Sequence, residues 1–546
     1  MDRRASVWVV GLAIGAGILA SIAAAGLAGR AQQKGGTLRL SSPRLIDTVD
    51  PALAYTSQDW ELEFATCAEL YSYPDKPAPV GAIPIPEVAT AFPKLSAGGK
   101  TETIQLHRTF RFNTGQPVTA ANFVAAFNRD ASPKLQSPAT NYLHEIVGAD
   151  AVIAGSAQAI SGVKALGPYT LQIRTIRPLP DLVSRLTMPF FCPVAVDTPV
   201  QEINTPLGTG PYYISSYVPD RQVVLDRNPF YVGPRPANVD QILWTVNGLE
   251  ACRVAVEQDQ LDYCAGLGVP ATDLPAIAAK YGINRKGGQF FFYPTLTTDF
   301  FALNHDRPAF KGAGQIPLAQ AINWAIDRPA LERAAGYLAG KRTDQILPPA
   351  MTRPASIYPL GGVTERSLAR ARALMKKATL RPTKLVLYTD TNDPDPAWAQ
   401  IFQFNLKRIG IEVDIKYFPY DTYGAIVGTR GAPFDVAIQN WTSDYADPIT
   451  FFGPLLDGTH LTQTGNQNGA YFDRPKYNHE IEQIEGLTGR ARRKAWADLD
   501  VEMMRGDPPW APIMTKAASV FVSKSFGCFV FQPVYARPDL AAACKK

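Results

Sequence analysis

The segment 434–452, FDVAIQNWTSDYADPITFF, brings together residue types suited to holding a charged ligand. Phe434, Val436 and Ile438 alternate with their neighbours as a half-buried strand does, and that strand leads into Trp441, Asp444 and Asp447. Asp444 offers a carboxylate, and Trp441 a large, stiff, amphipathic ring. Asp447, directly before Pro448, reads as a turn former, and Asp435 belongs to the strand and its turn. Catalytic constellations are missing: the sequence contains no G-x-S-x-G elbow, no H-E-x-x-H and no phosphate-binding G-K-[ST] loop. A glycine pattern at 15–20 lies inside an apolar run, and another at 266–271 ends in Pro270, which suits no helix start with open backbone donors. The histidines His107, His144, His305, His460 and His479 are dispersed, and neither His144-Glu145 nor His479-Glu480 has a second histidine at metal-ligand spacing. The expected activity is binding without a metal, a cofactor or a catalytic step.

Around that segment, length and composition bound the molecule. At 546 residues the chain is too long for one core and predicts more than one domain. A formal charge of +5 is small for this length and gives no basis for nucleic-acid binding. Arg3 and Arg4 precede an uncharged run over 5–29 rich in Ala, Gly, Val, Ile and Leu, an export signal that is either cleaved or kept as a membrane anchor. No cysteine lies near the end of the run, so a lipid-bearing cysteine is not expected. The mature chain is placed outside the cytoplasm, where the six cysteines Cys67, Cys192, Cys252, Cys264, Cys528 and Cys544 are expected to form at least one bridge. Cys252–Cys264 and Cys528–Cys544 are short-range candidates.

Local patterns place further elements. In 104–129, Ile104 and Leu106 and then Phe110 and Phe112 alternate as strand, 113–117 is a Gly/Pro turn, and Thr119 caps a helix from Ala120. Asp50-Pro51-Ala52 is a turn followed by the helix-like stretch 60–71, and a proline-rich loop covers 74–86. Gly208 and Gly210 in PLGTGPY read as glycines that allow a tight backbone turn.

These blocks, in this order, resemble the solute-binding proteins that serve oligopeptide, dipeptide and nickel ABC importers. The segment 104–129 resembles their L-R-x-x-x-x-F-x-D-G-x-P-x-T-A-x-D-[FV] pattern, with Asn113-Thr114-Gly115 at the Asp-Gly turn and Asn122 in place of the Asp. PLGTGPY at 206–212, RNPFY at 227–231, FALN at 301–304, AINWAIDR at 321–328 and DPPWAPI at 507–513 continue the likeness, and WTSDYADP at 441–448 resembles W-x-x-D-x-x-[DE]-P.

The resemblance implies an α/β, periplasmic-binding-protein-like (class II) fold: three lobes, mixed sheets and a hinged interlobe cleft. Mapped by block, 1–34 is signal or anchor. The main lobe is 35–72, 205–303 and 516–546, the inserted lobe 73–204 and the third lobe 304–515. In such proteins the Asp at the position of Asp444 takes the ligand's free α-ammonium. Trp441 would wall the first side-chain pocket, and Tyr55 and Thr56, after the DPA turn, would line the cleft. The resemblance also implies a Cys67–Cys192 bridge at the base of the inserted lobe. It implies a monomer that captures peptides and delivers them to a membrane permease with separate ATPase subunits. Nickel chelates, sugars, opines or a sensory partner remain open on the same pattern, and an extracellular hydrolase using isolated carboxylates is disfavoured by the lack of a nucleophile–base motif.

Overall fold

The computed structural model describes residues 34–43, 46–265, 269–353 and 355–546. The apolar run at 5–29 and the glycines at 266–268 lie outside the described residues. Three sheets organise the rest. A five-stranded sheet has the spatial order Tyr263–Cys264, Thr37–Ser42, Gln241–Val246, Gln222–Arg227, Tyr212–Val218. Thr37–Ser42 runs parallel to both of its neighbours, with Thr37 opposite Gln241, and the remaining pairs are antiparallel. A four-stranded antiparallel sheet is built from Lys94–Ser96, Thr101–Gln105, Thr170–Arg174 and Val163–Gly167. A six-stranded mixed sheet has the order Gly340–Arg342, Trp510–Phe521, Phe290–Leu303, Val436–Thr442, Lys384–Asp390, Glu412–Phe418.

The long strands Phe290–Leu303 and Trp510–Phe521 connect two of these bodies. Phe291 and Val520 pack into the core of the five-stranded sheet, whereas Phe301 and Ala511, further along the same pair, pack into the core of the six-stranded sheet. Their register shifts between Pro294 and Thr298 and again between Asp299 and Phe300. Pro294 has no N–H for the ladder, so the pairing is interrupted where the chain passes from one body to the next. Two continuous strands with a local break give a connection that can bend without separating.

In 104–129 the turn and helix form as expected, but the strand is Thr101–Gln105: Phe110 and Phe112 lie beyond it, buried in the core from an irregular segment that makes only an isolated bridge, Arg111 to Pro117. Gly115 sits at φ +84°, a conformation glycine adopts freely. The helix Ala120–Asp130 opens at Thr119, where Asn122 Oδ1 accepts both the Thr119 N–H and its hydroxyl at 2.8 Å. Asn122 also donates through Nδ2 to the Val194 carbonyl at 2.8 Å, a bond that an aspartate could not make. Asn113 exchanges two bonds with Gly208, which seats the PLGTGPY turn against this unit.

Gly208 and Gly210 are needed for a reason other than the expected turn. Neither has a positive φ, but a Cβ on Gly210 would fall 2.6 Å from the Thr66 carbonyl carbon and 2.7 Å from the Cys67 nitrogen. One on Gly208 would fall 2.6 Å from Tyr213 Cβ. Both glycines allow close approach.

All six cysteines are paired, as Cys67–Cys192, Cys252–Cys264 and Cys528–Cys544. Cys67 ends the helix Ser57–Thr66 and meets Cys192 at the end of the turn Pro189–Phe191, across 125 positions of sequence. Among the described residues no helix is long and apolar enough to cross a membrane.

Candidate functional site

The strand Val436–Thr442 delivers Asp444 to the meeting point of segments from distant parts of the chain. Asp444 is 7 % exposed, and its Oδ1 accepts the Tyr55 hydroxyl at 3.0 Å. The Tyr55 and Tyr142 hydroxyls are 2.7 Å apart. Tyr55 comes from the DPA turn and Tyr142 from the short helix Pro138–Tyr142, so three sequence regions converge on one carboxylate. Both tyrosines are held by packing: Phe190 lies against each ring, and Tyr445 lies edge-on to Tyr142. Burial and the nearby carboxylate push both phenols well above their ordinary range, so they stay protonated donors.

Asp444 has no cationic partner among the described residues, and its Oδ2 is buried without a hydrogen bond. Burial raises its pKa to about 7, against the opposing effect of the two tyrosine hydroxyls. Neighbouring cations are committed elsewhere. Arg185 binds Asp181 at 2.7 Å and Glu145 at 2.8 Å, and Arg492 binds Asp447 at 2.9 Å. A buried carboxylate with one unpartnered oxygen and no counter-ion is costly to keep charged.

Tyr55, Tyr142 and Trp441 line a cavity of about 400 Å³ that continues along Tyr445, Ile449 and Pro454. Asn141, Asn466, Gln467 and Asn468 supply amides to the same space. The volume lies in the range of pockets that take a whole small molecule. Trp441 is half-buried, with an indole N–H that no protein acceptor meets.

The other expected residues fall as follows. Thr56 spends its side chain on the local helix, accepting the Asp59 N–H at 3.2 Å while its own N–H goes to Asp59 Oδ2 at 3.1 Å. Asp447 shapes the turn through the Ile449 N–H at 3.0 Å and also carries the Arg492 ion pair. Asp50 caps its turn at Ala52 N and forms a buried ion pair with Arg129. Tyr142 escaped the sequence reading, because a tyrosine in a polar loop carries no signal of the carboxylate that folding brings to it.

Two mixed sheets joined by paired crossing strands, with a third sheet inserted, form a class II periplasmic-binding-protein-like fold. The chain belongs to the bacterial extracellular solute-binding proteins, family 5, whose middle-region profile matches residues 84–463. It is thus a solute-binding protein of the ABC importer type.

Among solved structures it is similar to clavulanic acid biosynthesis oligopeptide binding protein 2, with 23 % identity, a TM-score of 0.84 and 94 % of this chain and 95 % of that one covered. Its sequence is 24 % identical to the periplasmic oligopeptide-binding protein OppA of Haemophilus influenzae, covering 76 % of this chain and 77 % of that protein. It is 23 % identical to the probable deoxycholate-binding periplasmic protein YgiS of Escherichia coli, with the same coverage.

Proposed function

We propose that this protein captures peptides outside the cytoplasm and hands them to an ABC permease, without catalysing a reaction on them. Asp444 carries the reading: it is buried, without a counter-ion, unpartnered at Oδ2 and held by Tyr55, which itself lines the cavity of about 400 Å³. A peptide's α-ammonium supplies the missing charge, and the hydroxyls of Tyr55 and Tyr142 hold the carboxylate in place for it. Trp441 then walls the pocket of the first side chain. Relatives named for oligopeptides support this choice. A solute whose only charge is negative, as the name of the deoxycholate-binding relative suggests, would meet a carboxylate of its own sign, so a cationic end is favoured.

The lobes 35–72 with 205–303 and 516–546, 73–204, and 304–515 would close on the ligand about the crossing strands, as a monomer. Mass spectrometry of the solutes released on denaturing the purified protein tests the proposal. Peptides with free α-amino groups are expected; a population of amine-free or N-blocked solutes would overturn it.

A further inference from the structure

A second cavity, of about 360 Å³, lies at the register break of the crossing strands. Thr295 and Lys516 come from those strands, Asn440 and Thr442 from the strand that leads to Asp444, and Tyr263 and Arg537 from the body of the five-stranded sheet. Asn440 and Thr442 alternate along their strand with Trp441, which lines the cavity of about 400 Å³ near Asp444. The two cavities therefore flank opposite faces of one strand end.

They differ in charge. Among the described residues no aspartate or glutamate lines the second cavity, whereas Arg537 and Lys516 do. Lys516 is committed to Asp299 at 3.0 Å, with Asp390 and Asp395 also in its field. Arg537 enters no ion pair: its Nη1 donates to the Ala536 carbonyl at 3.1 Å, its Nε is buried without an acceptor, and its Nη2 is neither bonded nor buried. Two carboxyls lie close behind it. Glu61 is 1 % exposed, and burial raises its pKa to about 8 against the pull of Arg537, so near pH 7 it is mostly protonated. Asp539 turns its Oδ1 to the Ala541 and Ala542 N–H groups. A guanidinium with a free, accessible edge in a cavity without lining carboxylates is a receptor for an anion, and its planar fork matches a carboxylate.

We infer that this cavity takes the C-terminal carboxylate of the peptide on Arg537 Nη2, so that the protein selects short peptides held at both ends. The assignment rests on the peptide reading above. Asp444 and Asn440 are four positions apart in the chain, at most roughly 14 Å, so a peptide of about four residues or fewer spans the two sites. A longer peptide with its ammonium at Asp444 would carry its carboxylate past Arg537.

Titration calorimetry of trialanine, trialanine amide and N-acetyl-trialanine into the full chain and into Arg537→Gln, near neutral pH, tests this. Amidation should weaken wild-type binding about tenfold or more, and Arg537→Gln should weaken the free peptide by a similar factor while changing the amide little. An amide that binds the wild type as the free peptide does, a loss in Arg537→Gln that is the same for both, or no saturable binding of trialanine would each overturn the assignment. The acetylated peptide judges the reading of Asp444 separately. If amidation weakens binding and acetylation does not, the carboxylate site stands and the ammonium pairing falls; the reverse overturns this site and leaves that pairing standing. Should Arg537→Gln fail to fold, Ser519→Asp places a negative charge on the half-buried wall of the same cavity. A loss confined to the free peptide supports the site, and an equal effect on both peptides overturns it.

Discussion

Asp444 costs the empty protein stability, and the cost has a definite pH window. Its pKa rises from 3.8 to about 7 on folding, so between these values the folded chain retains a proton that the unfolded chain has lost. The unfolded state binds fewer protons there, and stability falls as pH rises from about 4 to about 7. Asp444→Asn removes that loss while keeping an acceptor for the Tyr55 hydroxyl. The variant should match the wild type near pH 4 and exceed it near pH 8, by an upper limit of about 4 kcal/mol. Urea unfolding of ligand-free protein at the two pH values checks this. A gap that is the same at both would mean Asp444 is already ionised and solvated in the folded state. The same group ties ligand affinity to pH in the opposite direction, since the carboxylate must ionise to receive an ammonium. Affinity for a free-amine peptide should therefore rise through pH 7, until the peptide's own amine, with a pKa of about 8, loses its proton.

At the scale of elements, the helix Ser57–Thr66 does more than its sequence advertises. Its first turn is capped by Thr56 and Asp59, its end carries the long-range disulfide, and its last residues lie against Gly210. Gly210→Ala would drive a methyl group into the backbone at Thr66 and Cys67, where no flexible side chain can move aside. A cost of about 1–3 kcal/mol is expected, read as a lowered urea midpoint with unchanged slope; an unaltered midpoint would contradict the close approach. The sequence made these elements legible where local chemistry decides them. Thr119 with Asn122 announces a helix start, Gly115 a turn, and the alternation of Phe434, Val436 and Ile438 a strand; the first two are found, and the strand begins at Val436, with Phe434 just before it. It concealed what depends on distant chain. The backbone approach at Gly210, the cap that occupies Thr56 and the bond from Asn122 to Val194 arise only once the elements pack. Tyr142, 302 positions before Asp444 in the chain, was concealed for the same reason.

Over the whole molecule, the long strands Phe290–Leu303 and Trp510–Phe521 enter two cores, and the Cys67–Cys192 bridge ties distant parts of the chain together. The bridge crosses 125 positions and Cys252–Cys264 only 12. In the chain-entropy picture these closures stabilise by about 5 and about 3 kcal/mol. Replacing Cys67 and Cys192 by serine should lower stability by about 2 kcal/mol more than replacing Cys252 and Cys264. Equal losses in equilibrium unfolding would show that strain or residual structure, and not loop length, sets the difference. The family and its fold were readable in the order of the blocks, because each block preserves a local geometry. The setting of Asp444 was not, because Tyr55 and Tyr142 reach its carboxylate only in the folded chain. The most direct test is titration calorimetry of a co-purified peptide, free and N-acetylated, against the wild type and Asp444→Ala. The free peptide should lose about 3–5 kcal/mol on mutation, roughly two to three and a half orders of magnitude in Kd, and the acetylated one much less. Equal losses for both peptides, or no loss for either, would contradict an ammonium paired with Asp444.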